Sequence, residues 1–130
     1  MRYLLDTDTV SFALRGQGNV GPRLREHQPS DVSISSITVA ELRYGADRKG
    51  SRKLHALIDT FTAAVEVAAF DEHAAREFGR IGNILADRGT PIGEFDVLIA
   101  AHALALRCTL VTNNGRHFSK VPGLSVENWL

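Results

Sequence analysis

Tyr3-Leu4-Leu5-Asp6-Thr7-Asp8 is the stretch that decides the fold. A short apolar run stops at side chains that accept hydrogen bonds from helix N-termini, so it reads as strand, turn, helix. The same order recurs outward along the chain. The first helix is expected to end at Arg15-Gly16, a second short one to run from Val20 to His27, and Val32 to Ser35 to form the next strand. From Ser36 the apolar spacing turns helical as far as about Arg48, and another helix is expected over Lys53 to Ala64. Val65 to Ala68 alternates as a strand, and Asp71 caps a long helix that carries Ala74, Phe78, Ile81 and Leu85 on one face. Gly89-Thr90-Pro91 closes that helix. A strongly apolar helix over Phe95 to Leu106, a strand over Thr109 to Thr112 and a last strand at Leu124 to Glu127 complete the series.

Strands alternating with helices predict an α/β fold with a mainly parallel sheet covered on both faces, whose ligands bind beyond the carboxyl ends of the strands. With 130 residues and no linker, repeat or low-complexity stretch, residues 1–130 read as a single domain. Fifteen basic residues balance fifteen acidic ones, which excludes bulk cationic attraction to nucleic acid, so any RNA contact must come from local patches. One cysteine, Cys108, excludes an intrachain disulfide and reads as a small buried residue. The apolar run before Asp6 is too short for a signal-peptide core, and no run approaches a membrane span. A soluble, cytoplasmic protein without membrane contact is the expectation.

Three acids occupy positions where such a sheet places its chemistry. Asp6 ends the first strand and Asp8 opens the following helix; both also suit helix capping. Glu41 follows the second strand by about a turn and a half. Thr38-Val39-Ala40-Glu41 would fit a capping box, although Ser35 and Ser36 already offer a cap at the strand end. Asp96 precedes Val97-Leu98-Ile99-Ala100-Ala101, and a carboxylate beside so apolar a helix needs a partner or the helix dipole. Glu94 reads as its solvated neighbour. Asn114, in the loop after the strand at Thr109 to Thr112, is either a turn residue or an amide that holds a metal-bound water. Carboxylates that converge repel one another unless a cation neutralises them, and oxygen-only ligands select Mg²⁺ or Mn²⁺. Such an ion acidifies a bound water and stabilises a phosphoryl group under attack, which points to phosphate-ester hydrolysis. For RNA phosphates the candidates are Arg116, in the loop beside the site, with Arg43 and Lys120. His27, His55 and His73 are expected to face solvent and His102 to be packed; Tyr44, Phe61, Phe78 and Phe95 read as core or dimer residues.

In this order, these residues resemble the PIN-domain nucleases, and closely the VapC-like toxins of bacterial toxin–antitoxin pairs. Four segments carry the resemblance: Leu4 to Asp8; Ser33 to Leu42 with Gly45-Ala46; Pro91 to Ala103; and Val111 to Phe118. Together they span nearly the whole chain. The resemblance implies a PIN-like three-layer α/β/α architecture with a central, mainly parallel sheet of four to five strands. It implies an Mg²⁺-dependent endoribonuclease in which Asp6, Glu41 and Asp96 bind metal. It further implies a homodimer, or a hetero-oligomer with a cognate VapB-like antitoxin, acting on structured RNA. Transfer RNA is the expected target, and the nearest-looking subgroup cuts the anticodon stem-loop of initiator tRNA. The chain departs from the pattern at Asp8, where many relatives have Asn, and at Asn114 and His117, where an acid is common; a second metal position lacks its acid. Two other readings belong to different classes. A catalytically weak domain of this fold would bind RNA or a partner without cutting, and Asp6-Thr7-Asp8-Thr9-Val10 also looks like the first motif of haloacid-dehalogenase phosphatases.

Overall fold

Five short parallel strands form the centre: β1 (Tyr3–Leu5), β2 (Val32–Ser35), β3 (Glu66–Ala68), β4 (Thr109–Val111) and β5 (Val126–Glu127), in the order β3-β2-β1-β4-β5. The structure is a computed structural model and describes residues 2–130; Met1 lies outside them. Central strands are apolar on both faces because both are covered. Leu4 and Leu110 point to one side, with Ile81, Leu85, Ile99 and Phe118 from α5 (Glu72–Asp87), α6 (Glu94–Leu106) and α7 (Gly115–Phe118). Leu5 and Val111 point to the other, with Val10, Val20, Leu42 and Ile58 from α1 (Thr7–Leu14), α2 (Val20–Arg25), α3 (Ser36–Lys49) and α4 (Arg52–Ala64). The result is the expected three-layer arrangement.

Side-chain caps set the helix starts. Asp6, Ser35, Ser51 and Asp71 each accept a backbone N–H from the first turn of α1, α3, α4 and α5. The observed starts and ends lie within two residues of the expected ones. Two elements were not anticipated: a 3-10 turn at Pro29–Asp31 and the single turn of α7 inside the loop after β4. α7 has no periodicity to read; it is held by Phe118, which buries its ring in the core.

The expectations for several side chains need correction. Tyr44 and Phe95 are 70% and 55% exposed, so of the two readings, core or dimer, the core one does not hold for them. His27 does not face water freely, because its ring stacks on Trp129 with centroids 4.8 Å apart and planes 4° from parallel. His55 bonds Asp47 and Arg43. His102 and Cys108 are buried as expected. Among the described residues no helix is long and apolar enough to cross a membrane.

Candidate active site

The strand order reverses its direction of growth at β1, with β2 and β3 on one side and β4 and β5 on the other, and the crevice beyond the carboxyl ends is where an open α/β sheet binds ligands. Asp6 lies there. Its backbone N–H donates to the Val111 carbonyl, continuing the ladder, and its side chain is only 5% exposed. Oδ1 accepts the Thr9 N–H at 2.8 Å, and the Thr112 side chain bonds the same carboxylate. Asp6 is therefore both a cap and a buried anion at the switch point. Burial pushes its carboxyl above the usual range, the Thr112 and Thr9 hydrogen bonds pull it down, and the charge of Asp8 adds repulsion.

Glu41 reaches the same crevice from α3. Ser35, not Thr38, caps that helix by accepting the Ile37 N–H at 3.0 Å, so no capping box consumes Glu41. The Thr7 hydroxyl donates to Glu41 Oε1 at 2.7 Å and lies 3.2 Å from the Thr38 hydroxyl. Desolvation raises the Glu41 carboxyl, Thr7 opposes it, and Asp96, Asp8 and Asp6 repel it in that order of strength. Asp96, in the first turn of α6, is raised by desolvation and by Asp8, and lowered by His117. Asp6, Asp8, Glu41 and Asp96, from three separate segments, thus feel one another's charge.

His117 was not chosen from the sequence as a site residue. Its Nε2 lies 2.5 Å from the Ile92 carbonyl and 3.0 Å from Asp96 Oδ2. A carbonyl can only accept, so Nε2 carries a proton and shares it with the carboxylate. Thr7 and Thr112 were missed as well, since lone threonines at strand ends leave no pattern. Asn114 is exposed at the start of α7; its N–H donates to the Thr112 hydroxyl at 2.9 Å, and its side chain makes no cap. Its neighbour Asn113 instead buries a side-chain oxygen without a partner.

The basic candidates separate. Arg116 and Lys120 are exposed on and just after α7. Arg43 is committed elsewhere: it donates to the His55 carbonyl and to Asp59, bracing α3 against α4, and so does not fit the phosphate contact expected of it. An apolar groove of about 200 Å³ leads away from Thr7 and Glu41 past Leu14, Leu42 and Leu54, with Arg15 and Lys49 among its walls.

Among the described residues, no three His, Cys, Asp or Glu are arranged to hold a metal ion as they stand. Each acid rests on a protein donor instead: Asp6 on Thr9, Glu41 on Thr7 and Asp96 on His117. The donor chemistry nonetheless fits a hard divalent cation, because the set is all oxygen, desolvated and mutually repelling.

Carboxylates gathered at the switch point of a five-stranded parallel sheet make this an acidic ligand crevice of an open α/β fold. The PIN domain model matches residues 3–124, and the chain belongs to the PIN-domain family. It is 37% identical to the tRNA(fMet)-specific endonuclease VapC of Salmonella typhimurium, over 99% of this chain and 98% of that protein. In structure it resembles the DNA-bound VapBC of Salmonella typhimurium, with a TM-score of 0.94 and 36% identity over 100% and 99% of the two chains. VapBC2 of Rickettsia felis, bound to a promoter DNA fragment, gives a TM-score of 0.92 and 32% identity over all of both chains.

Proposed function

We propose that this chain is the endoribonuclease toxin of a VapBC pair, hydrolysing phosphodiester bonds in structured RNA and held in check by a VapB-like antitoxin. One observation carries the chemistry: Asp6, Glu41 and Asp96, with Asp8 beside them, converge from three segments into a desolvated, mutually repelling group at the sheet's carboxyl edge. Full-length similarity to VapC ribonucleases supports the RNA substrate, and the Salmonella typhimurium relative, named for tRNA(fMet), makes initiator tRNA the first candidate. The solved VapBC relatives support the antitoxin. An antitoxin segment in the groove between α1, α3 and α4 would meet Glu41 at one end.

Asp6, Glu41 and Asp96 would hold Mg²⁺ or Mn²⁺. The bound ion supplies charge compensation to the phosphoryl group and acidifies water. The chain's own part is to hold the three carboxylates together, with Thr9, Thr7 and His117 opposing the desolvation that raises them. Arg116 and Lys120 flank the site and suit RNA phosphates, giving an affinity that falls with salt. A pair of such chains acting as a homodimer is part of this reading, as is action in the cytoplasm. The haloacid-dehalogenase reading is set aside, because the PIN match extends from residue 3 to 124, far beyond the aspartate motif that suggested it.

The test is cleavage of a small-RNA pool that includes initiator tRNA by purified, antitoxin-free protein, with Mg²⁺ or Mn²⁺ against EDTA, beside Asp6→Asn and Asp96→Asn. Discrete metal-dependent fragments absent from both variants are expected. If folded, metal-loaded wild type leaves the pool intact, the chain is an RNA- or partner-binding domain instead.

A further inference from the structure

His102 is buried to 1% exposure in the middle of α6, and nothing in the chemistry above uses it. Its Nδ1 lies 2.8 Å from the hydroxyl oxygen of Ser35, the fully buried residue that ends β2 and caps α3. On its other side the ring meets the edge of Phe70, with centroids 5.3 Å apart and planes at 77°. Phe70 is in turn fixed by donating its N–H to the Ser36 hydroxyl at 3.0 Å.

Chemistry settles which way the protons run. Burial lowers the His102 pKa against the pull of Asp71, so the ring is neutral and has one N–H and one acceptor nitrogen. Ser35 Oγ already accepts the Ile37 N–H, and its own proton remains to be placed. Nε2 is buried without a hydrogen-bond partner, and the Ala69 backbone acts on the ring as an acceptor. With the proton on Nε2, Nδ1 is free to accept the Ser35 hydroxyl proton. One hydroxyl then accepts from α3 and donates to α6.

From this joint Glu41 lies six residues along α3 (35 to 41) and Asp96 six residues back along α6 (102 to 96), about 9 Å in each direction at 1.5 Å per residue. We infer that His102 is a positioning residue: its bond to Ser35 pins the crossing of the two helices and thereby sets Glu41 against Asp96. This rests on the nuclease reading only in assigning those two acids to the metal; the pin itself is a matter of packing.

Full-length wild type, His102→Leu and His102→Asn decide it, the asparagine keeping an acceptor at the δ position. In metal-free amide NMR spectra, His102→Leu is expected to move the signals of Glu41 and Asp96 as well as those beside residue 102, and His102→Asn to restore them. Calorimetric Mn²⁺ affinity of the folded protein is expected to fall about tenfold in His102→Leu and to recover most of that in His102→Asn. Shifts confined to the surroundings of residue 102, with Mn²⁺ affinity equal to wild type, would overturn the inference. Should His102→Leu not fold, the imidazole ¹⁵N signals of wild type decide: an Nδ1 hydrogen-bonded to the Ser35 hydroxyl, whichever partner holds the proton, supports the pin, and a free Nδ1 rejects it. If His102→Leu shows the shifts and the loss of Mn²⁺ affinity while wild type cuts no RNA, the nuclease reading is removed and the pin remains.

Discussion

Asp6 and Asp71 perform the same local task. Each follows a strand of the parallel sheet and caps the next helix, Asp6 by accepting the Thr9 N–H at 2.8 Å and Asp71 the Ala74 N–H at 3.1 Å. Their electrostatics are opposite. Asp71 stands in water, and its cap bond pulls the carboxyl below the usual range. Asp6 is buried among other acids, and desolvation pushes its carboxyl up despite three hydrogen-bond contributions from Thr112 and Thr9. A cap stabilises a helix by about 1 kcal/mol wherever it stands. What separates the two is the location of the strand: β1 is central, at the switch point, whereas β3 is an edge.

The sharpest way to break the comparison is one substitution at both places. Asn caps about as well as Asp, so Asp→Asn removes charge and leaves the helix start in place. Asp6→Asn is expected to lower RNA cleavage at least about a hundredfold, and Asp71→Asn to leave it unchanged, measured as kcat/KM on one RNA. Equal effects would mean that Asp6 is only a cap. Loosening Asp96 should cost less: His117→Ala removes the N–H shared between Asp96 and the Ile92 carbonyl, and about a tenfold loss of cleavage is expected, with partial recovery in His117→Gln.

The sequence could not distinguish the two aspartates, because capping and catalysis ask for the same residue after the same strand. It did reveal the alternation that produces the sheet and the strand Val32–Ser35, since period and apolar runs are local properties; Asp6, Glu41 and Asp96 were singled out by their places after strands and before an apolar helix. The hydroxyls and the imidazole that hold those acids were hidden. Thr7 meets Glu41 across 34 positions, and His117 meets the Ile92 carbonyl across 25, contacts that only strand order creates. The contacts of Arg43 were hidden for a related reason: its partners Asp59 and His55 lie on the next helix.

Stability should move opposite to activity. Removing a desolvated charge from a repelling cluster relieves the folded state, so metal-free Asp6→Asn is expected to be more stable than wild type by about 1 kcal/mol in denaturant titration. Asp71→Ala loses an exposed cap and is expected to melt a few degrees lower with cleavage intact. A less stable Asp6→Asn would mean that its hydrogen bonds outweigh its burial.

The smallest effect lies in the pH dependence of that difference, and it follows from the direction of each shift. Asp6, Glu41 and Asp96 bind protons more tightly in the folded chain than in the unfolded one, so each costs stability as pH rises above the ordinary carboxylate range near 4. Asp71 and His102, both lowered on folding, act the other way: Asp71 contributes stability that is lost as pH falls below about 4, and His102 stability that is lost as pH falls from about 6.5. Asp71 and His102 are present in wild type and in Asp6→Asn alike, and they largely cancel when the two are subtracted. The excess stability of Asp6→Asn should therefore shrink on acidification from neutral toward pH 4, as Asp6 takes up its proton and its neighbours follow. Added Mg²⁺ should shrink the same gap at neutral pH, because a cation held by the ionised cluster stabilises wild type more than the variant. Melting curves of both proteins across this range, with and without Mg²⁺, test both statements; a gap indifferent to pH and to Mg²⁺ would show that the charge on Asp6 is already compensated within the chain.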